Sequence, residues 1–179
     1  IKKKKKTDKR REEQIKKIHE SGVSNFITAG YSVESSKKAL EIAKKYDFIY
    51  TTAGVSPNDI PQTEEELWKQ LAEIEKIVEK NKEKICAIGE IGLDYYWNTD
   101  NKEIKKKAFI EQIKIANKYN LPIVIHTREA VMDTLQILKE NKVTKTGVFH
   151  CCPQNRELIK EGLKLGFYIS FAGPITFKN

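Results

Sequence analysis

The residues best placed to do chemistry in this chain are one carboxylate and two imidazoles. Glu90 closes the run ICAIGE (85–90), His126 lies near the end of LPIVIHT (121–127), and His150 near the end of TGVFHC (146–151). Each run is short, apolar on both faces and rich in β-branched residues, as strands buried in a parallel sheet are. Three consecutive strands thus each deliver an ionisable side chain at the carboxyl end. Imidazole and carboxylate together suit Zn, Mn, Fe or Co, and carboxylate-rich sites extend to Mg. Taken singly, a Glu at a strand end is a solvated loop charge, and a His after an apolar run is a hydrogen-bonded core residue. Taken jointly, two of only three His in the chain share one structural position with a Glu in the same position. That pattern points to a metal or acid–base site. The third, His19, sits beside Glu20 on an amphipathic helix and reads as surface.

The neighbours of these residues suggest supporting roles. Asp94, four residues beyond Glu90 in GEIGLDYYW, can orient a ligand as an outer hydrogen-bond acceptor or cap a turn. Tyr95, Tyr96 and Trp97 form an aromatic cluster on the same expected loop. Such rings can stack a base or sugar, but packing over the site is the reading adopted. Arg128, two residues past His126, can bind phosphate through its planar fork or simply open the next helix. Cys151 adjoins His150, and adjacent strand residues point to opposite faces, which argues against a Cys–His dyad. No Ser nucleophile elbow is present.

The elements that must position these residues follow from periodicity. Residues 11–22, 33–46, 63–81, 102–119, 128–141 and 155–166 carry helical apolar stripes. Thr63-Glu64-Glu65-Glu66 reads as a capping box opening the third of them. Strands are expected to begin near 25, 48, 85, 122, 146 and 167, with one helix between each pair. That alternation predicts an α/β fold with a parallel sheet covered by helices, either doubly wound or a barrel. The Gly-rich turn usual after the first strand of a doubly wound nucleotide binder is missing, and Gly89-Glu-Ile-Gly92 is only a G-x-x-G.

Composition sets the outer limits. With 179 residues, 39% of them apolar, the chain suits one domain and is not disordered. No apolar run approaches the roughly 20 residues of a membrane helix. Three Cys, with no C-x-x-C pair, argue against a disulfide framework, and a reducing cytoplasm is expected. The net charge of +8 concentrates in IKKKKKTDKRR (1–11), leaving the rest of the chain nearly neutral. Residues 1–11 are therefore read as a basic, solvated segment and 12–179 as the domain.

Four motifs, in order, carry a specific likeness. AIGEIGLDYYW (87–97), LPIVIHTREA (121–130), GVFHC (147–151) and YISFAGPITFKN (168–179) resemble the TatD family of metal-dependent deoxyribonucleases. TTAGVSPNDI (51–60) is similar to that family's GVHPH segment, with Ser56 and Asn58 in place of its two His. The resemblance implies a TIM-type (β/α) barrel with two divalent ions (Mg, Mn or Zn) and hydrolysis of DNA phosphodiester bonds by metal-activated water. It implies that Glu90 is the catalytic, metal-bridging carboxylate and that His126 and His150 are ligands. The family's D-x-H-x-H strand has no counterpart here, and its T-D-x-P-Y-L segment is expected beyond Asn179. About six of eight βα units are accordingly expected, as in a chain truncated at both ends and weakly active or inactive alone. DNA is the expected substrate, with no membrane and no obligate protein partner. Two other readings stay open: an amidohydrolase-type enzyme acting on small esters or amides, and a non-catalytic relative that binds nucleic acid through Lys2–Lys6.

Overall fold

Six strands run parallel in the order in which the chain makes them, β1-β2-β3-β4-β5-β6. The structure is a computed structural model describing residues 2–97 and 99–178, with side chains from residue 8 onward. Its strands are β1 (Phe26–Thr28), β2 (Ile49–Ala53), β3 (Ile85–Asp94), β4 (Ile123–Arg128), β5 (Val148–Phe149) and β6 (Tyr168–Ile169). The helices are α1 (Lys2–Glu20), α2 (Val33–Ala43), α3 (Glu64–Lys80), α4 (Lys102–Lys118), α5 (Val131–Glu140) and α6 (Arg156–Lys164). A doubly wound sheet reverses its strand order at a switch point. Here the order never reverses, so right-handed crossovers carry every connecting helix to the same side. Of the two architectures open from sequence, this is the barrel: successive units curl round a common axis, with their carboxyl ends at one mouth.

The core lies between sheet and helices. Ile88, Ile91, Leu93, Ile123, Ile125 and Phe149 are fully buried on the sheet, each worth about 1.5–3 kcal/mol of transfer free energy. Against them α3 turns Leu67, Leu71, Ile74 and Val78, the stripe expected at 3–4 spacing. Thr63 caps α3 by accepting the Glu66 N–H at 3.3 Å, while its own hydroxyl reaches the Glu66 carboxylate at 3.2 Å. The expected box is thus only half made. The full reciprocal box is on α2, between Ser32 and Ser35. Ser at the third helical position, in place of Glu or Gln, hides it from the usual signature.

Several boundaries differ from expectation. From Lys2 the backbone of the basic segment is helical and continuous with residues 12–20 in α1, while the side chains of Lys2–Lys6 lie outside the described residues. Helix α5 begins at Val131 and not at Arg128, which instead closes β4. Most consequential, β3 does not end at Glu90 but runs to Asp94. Its ladder to β4 pairs Ile88 with Ile123 and Ile91 with Ile125, so three steps on β3 match two on β4. The extra residue is a bulge at Gly89-Glu90. A bulge hides a long strand from a simple period-two reading because it resets which face each residue takes.

Candidate active site

Beyond the bulge β3 alternates regularly, so Glu90, Gly92 and Asp94 fall on one face at i, i+2 and i+4. Gly92 is the register partner of His126 on β4. The imidazole therefore lies over a residue with no side chain, flanked by a carboxylate on either hand. His126 Nδ1 stands 3.2 Å from Glu90 Oε1 and Nε2 stands 2.9 Å from Asp94 Oδ2. Gly92 is required twice over. Its φ of +128° suits glycine, and a Cβ there would collide with the His126 backbone oxygen.

Electrostatics follow from this sandwich. The hydrogen bond from His126 draws the Glu90 carboxyl below its ordinary value, against burial, and the charges of His126 and His150 act the same way. For Asp94, 1% exposed, burial is the largest influence and pushes upward. Hydrogen bonds from His126, the Tyr96 N–H and Asn58 outweigh it, and the net direction is down. For His126 burial again opposes the charged form, but the bonds and charges of Glu90 and Asp94 prevail and raise it. Each of the three groups thus favours the charged form of its neighbour.

The surrounding residues hold Asp94 and the loops in place. Asn58 Nδ2 donates to Asp94 Oδ2 at 3.3 Å, the Tyr96 N–H to Oδ1 at 2.9 Å, and Lys105 Nζ to the Asp94 carbonyl at 2.8 Å. The loop bearing Asn58 is itself fixed by Gln112, which is fully buried on α4. Its Oε1 accepts the Val55 N–H at 2.7 Å and its Nε2 donates to the Val55 carbonyl at 3.0 Å. Tyr95 is buried and its hydroxyl donates to Asp133 at 2.7 Å, tying the loop after β3 to α5.

Of the residues singled out from sequence, Glu90, Asp94 and His126 are in direct contact. His150 lies in the turn after β5, exposed, with its backbone N–H bonded to Ile125 O at 2.8 Å; it acts on Glu90 through charge. Arg128 does not join this group and lies over the Tyr96 ring. Packing over the site holds for Tyr95 alone, since Tyr96 and Trp97 are exposed. His19 is exposed and stacks on Phe48 at 4.0 Å. Asn58, Lys105 and Gln112 were not anticipated as parts of the site. A signal for the last two exists: both lie on the buried stripe of α4 with Ala108, Phe109 and Ile113, where a polar side chain must find a partner.

A family model described as TatD related DNase matches residues 1–179. The chain belongs to the TatD family. An uncharacterized metal-dependent hydrolase of Bacillus subtilis, YabD, is 41% identical over 172 residues, 94% of this chain and 64% of its own length. The 3'-5' ssDNA/RNA exonuclease TatD of Shigella flexneri is 30% identical over 167 residues, 92% of this chain and 62% of its own. The crystal structure of YjjV, a TatD homolog from Escherichia coli, superposes with a TM-score of 0.77 at 26% identity, covering 86% of this chain and 58% of that one. The chain spans about three-fifths of the length of the curated relatives it matches.

Metal dependence in the names of TatD relatives makes the donor set worth testing. Carboxylate and imidazole are the right donor types. Asp94, accepting the Nε2–H, leaves Nδ1 as the nitrogen that faces Glu90, the orientation an outer carboxylate imposes on a ligating His. A lone pair on Nδ1 and an anionic oxygen 3.2 Å away repel unless a positive charge stands between them. A proton satisfies that need. So does a divalent ion, because bonds of about 2.0–2.2 Å place neighbouring ligands at about this separation. Glu90 and His126 therefore fit one edge of a coordination sphere. Among the described residues, however, no group of three or more His, Cys, Asp or Glu is arranged to hold an ion.

Proposed function

We propose that this chain carries the carboxylate–imidazole centre of a metal-dependent hydrolase that cleaves phosphodiester bonds in DNA. The observation that carries the reading is the His126 ring held between Glu90 and Asp94 over Gly92. Glu90 and His126 would hold divalent metal, with His150 joining from the turn after β5. Two ions, of Mg, Mn or Zn, are implied by the family. Divalent ions bound there supply Lewis-acid polarisation of the phosphoryl group and activation of water. Asp94 keeps the His126 ring oriented with Nδ1 toward Glu90. Arg128, exposed at the end of β4, binds substrate phosphate. The absence of an activated Ser or Cys accords with direct attack by water, without a covalent intermediate. DNA as the substrate is supported by the family description and by the exonuclease name of the Shigella relative.

On this reading residues 12–179 make about six of the eight βα units of a closed barrel. Among the described residues no helix is long and apolar enough to cross a membrane. The three free cysteines accord with the reducing cytoplasm we propose as its location. The test is hydrolysis of a single-stranded oligodeoxynucleotide with Mg, Mn or Zn added, beside a panel of small esters and amides. Metal-dependent cleavage of the oligonucleotide that Glu90→Ala abolishes supports the reading. Ester hydrolysis with the oligonucleotide left intact would assign the chain to other metallohydrolase chemistry.

A further inference from the structure

Next to the Glu90–His126–Asp94 group, beside the Arg128 cation, stand two aromatic rings that none of that chemistry consumes. Tyr96 and Trp97 follow closely after Asp94, and Arg128 is the register partner of Asp94 on β4, so all three emerge at one point of the mouth. The Arg128 guanidinium carbon lies over the Tyr96 ring, 3.5 Å from its centroid, and 5.4 Å from the Trp97 ring centroid. The two rings meet edge to face with centroids 4.8 Å apart. Tyr96 is nevertheless 48% exposed and Trp97 69% exposed. No carboxylate among the described residues pairs with Arg128. The contrast with Tyr95 is instructive: one residue earlier, the same side-chain type is buried and anchored to Asp133. Leaving an aromatic in water forgoes roughly 25 cal/mol for each Å², and exposed aromatic surface beside polar groups marks contact sites. On another side of Trp97 a cleft of about 290 Å³ runs between Asn58, Gln62, Asn101 and Lys105. Asn58, which closes it toward the site, is the residue bonded to Asp94.

We propose that Tyr96, Trp97 and Arg128 form a stacking subsite for an unpaired base of a single-stranded nucleic acid, with the adjoining cleft receiving the base edge. The inference rests on the phosphodiester reading of the neighbouring centre. Rings and guanidinium stack on any base because every base has a π-face. With Asn101 Nδ2 bonded to Gln62 Oε1 and Asn58 Nδ2 to Asp94, the Asn58 and Asn101 amide oxygens and the Gln62 amide nitrogen offer acceptors and a donor for the edge. A base inside a duplex has its faces stacked and its pairing edge occupied, so only a single strand can use the subsite. Stacking also supplies affinity where charge does not, since the chain past residue 11 is nearly neutral. The Arg128 N–H edge adds one phosphate contact beside the stacked base.

The test is a fluorescence-anisotropy titration of a labelled oligodeoxythymidylate, and of a hairpin duplex, in EDTA so that no hydrolysis occurs. Trp97→Ala and Tyr96→Ala are expected to weaken single-strand binding about 5- to 150-fold. Tyr96→Phe retains it, and duplex binding stays weak and unchanged. Arg128→Ala lowers the slope of log affinity against log salt by about 0.7, a readout that does not depend on the aromatic variants folding. In a separate assay with Mn added, Glu90→Ala loses hydrolysis of the same oligonucleotide. If Glu90→Ala keeps hydrolysis, the catalytic reading falls and the subsite is judged on binding alone. Undiminished binding by Trp97→Ala and Tyr96→Ala, or failure of the unaltered chain to bind the single strand, overturns the subsite.

Discussion

His126 is held from both sides because Glu90 and Asp94 alternate with a glycine on the neighbouring strand. A side chain at 92 would run into the His126 backbone. Gly92→Ala must fit a Cβ against the His126 carbonyl at φ +128°. We expect it to lower stability by more than about 1 kcal/mol, read from urea unfolding, and to weaken divalent-metal binding through displacement of the imidazole. Legible in the sequence were Glu90 and His126 as strand-end residues and Asp94 as an outer acceptor; that Glu90, Gly92 and Asp94 share one face was not, because the strand was expected to end at Glu90. Less legible was which ring nitrogen meets which carboxylate, because that depends on the Gly92–His126 register. Asn58 was harder still, since it reaches Asp94 from a loop 36 residues earlier in the chain.

At the scale of elements, helix α4 does more than cover the sheet. Gln112 clamps both polar groups of the Val55 backbone, and Lys105 reaches the Asp94 carbonyl, so one helix face fixes the ends of β2 and β3. Gln112→Leu leaves a buried N–H and a buried C=O without partners, at about 1–3 kcal/mol each. Calorimetric or urea unfolding should show a loss of more than about 2 kcal/mol, with the Asn58 loop loosened. Asp133 on α5 ties a second loop. The Tyr95 hydroxyl and Lys106 ammonium hold its carboxyl below the usual range. A depressed folded pKa contributes stability that is present above the unfolded value, about 3.9, and is lost as pH falls through the folded one. Melting temperature should therefore decline on acidification below about pH 4, and Asp133→Asn should flatten that part of the profile. Element order was readable from periodicity, whereas β3 was foreshortened because its bulge breaks the alternation that marks a strand.

For the molecule as a whole, the sequential strand order and the shared mouth bring residues of β3, β4 and the loop after β2 to one place. Charge is distributed unevenly, with the basic residues in the first half of α1 and a nearly neutral remainder. Such a body gives little general attraction for a polyanion, so the function we propose rests on the local group at the ends of β3 and β4. The curated TatD relatives are longer chains, of which this sequence matches about three-fifths. The claim on which the account turns is that Glu90 and His126 share a divalent ion. Isothermal titration with Mn or Zn tests it most directly, comparing the unaltered chain with Glu90→Ala at one pH. Removing outer partners of metal ligands alone costs about 10–100-fold in affinity, so loss of the ligand itself should exceed about 100-fold. Equal affinity in the two proteins would contradict the account.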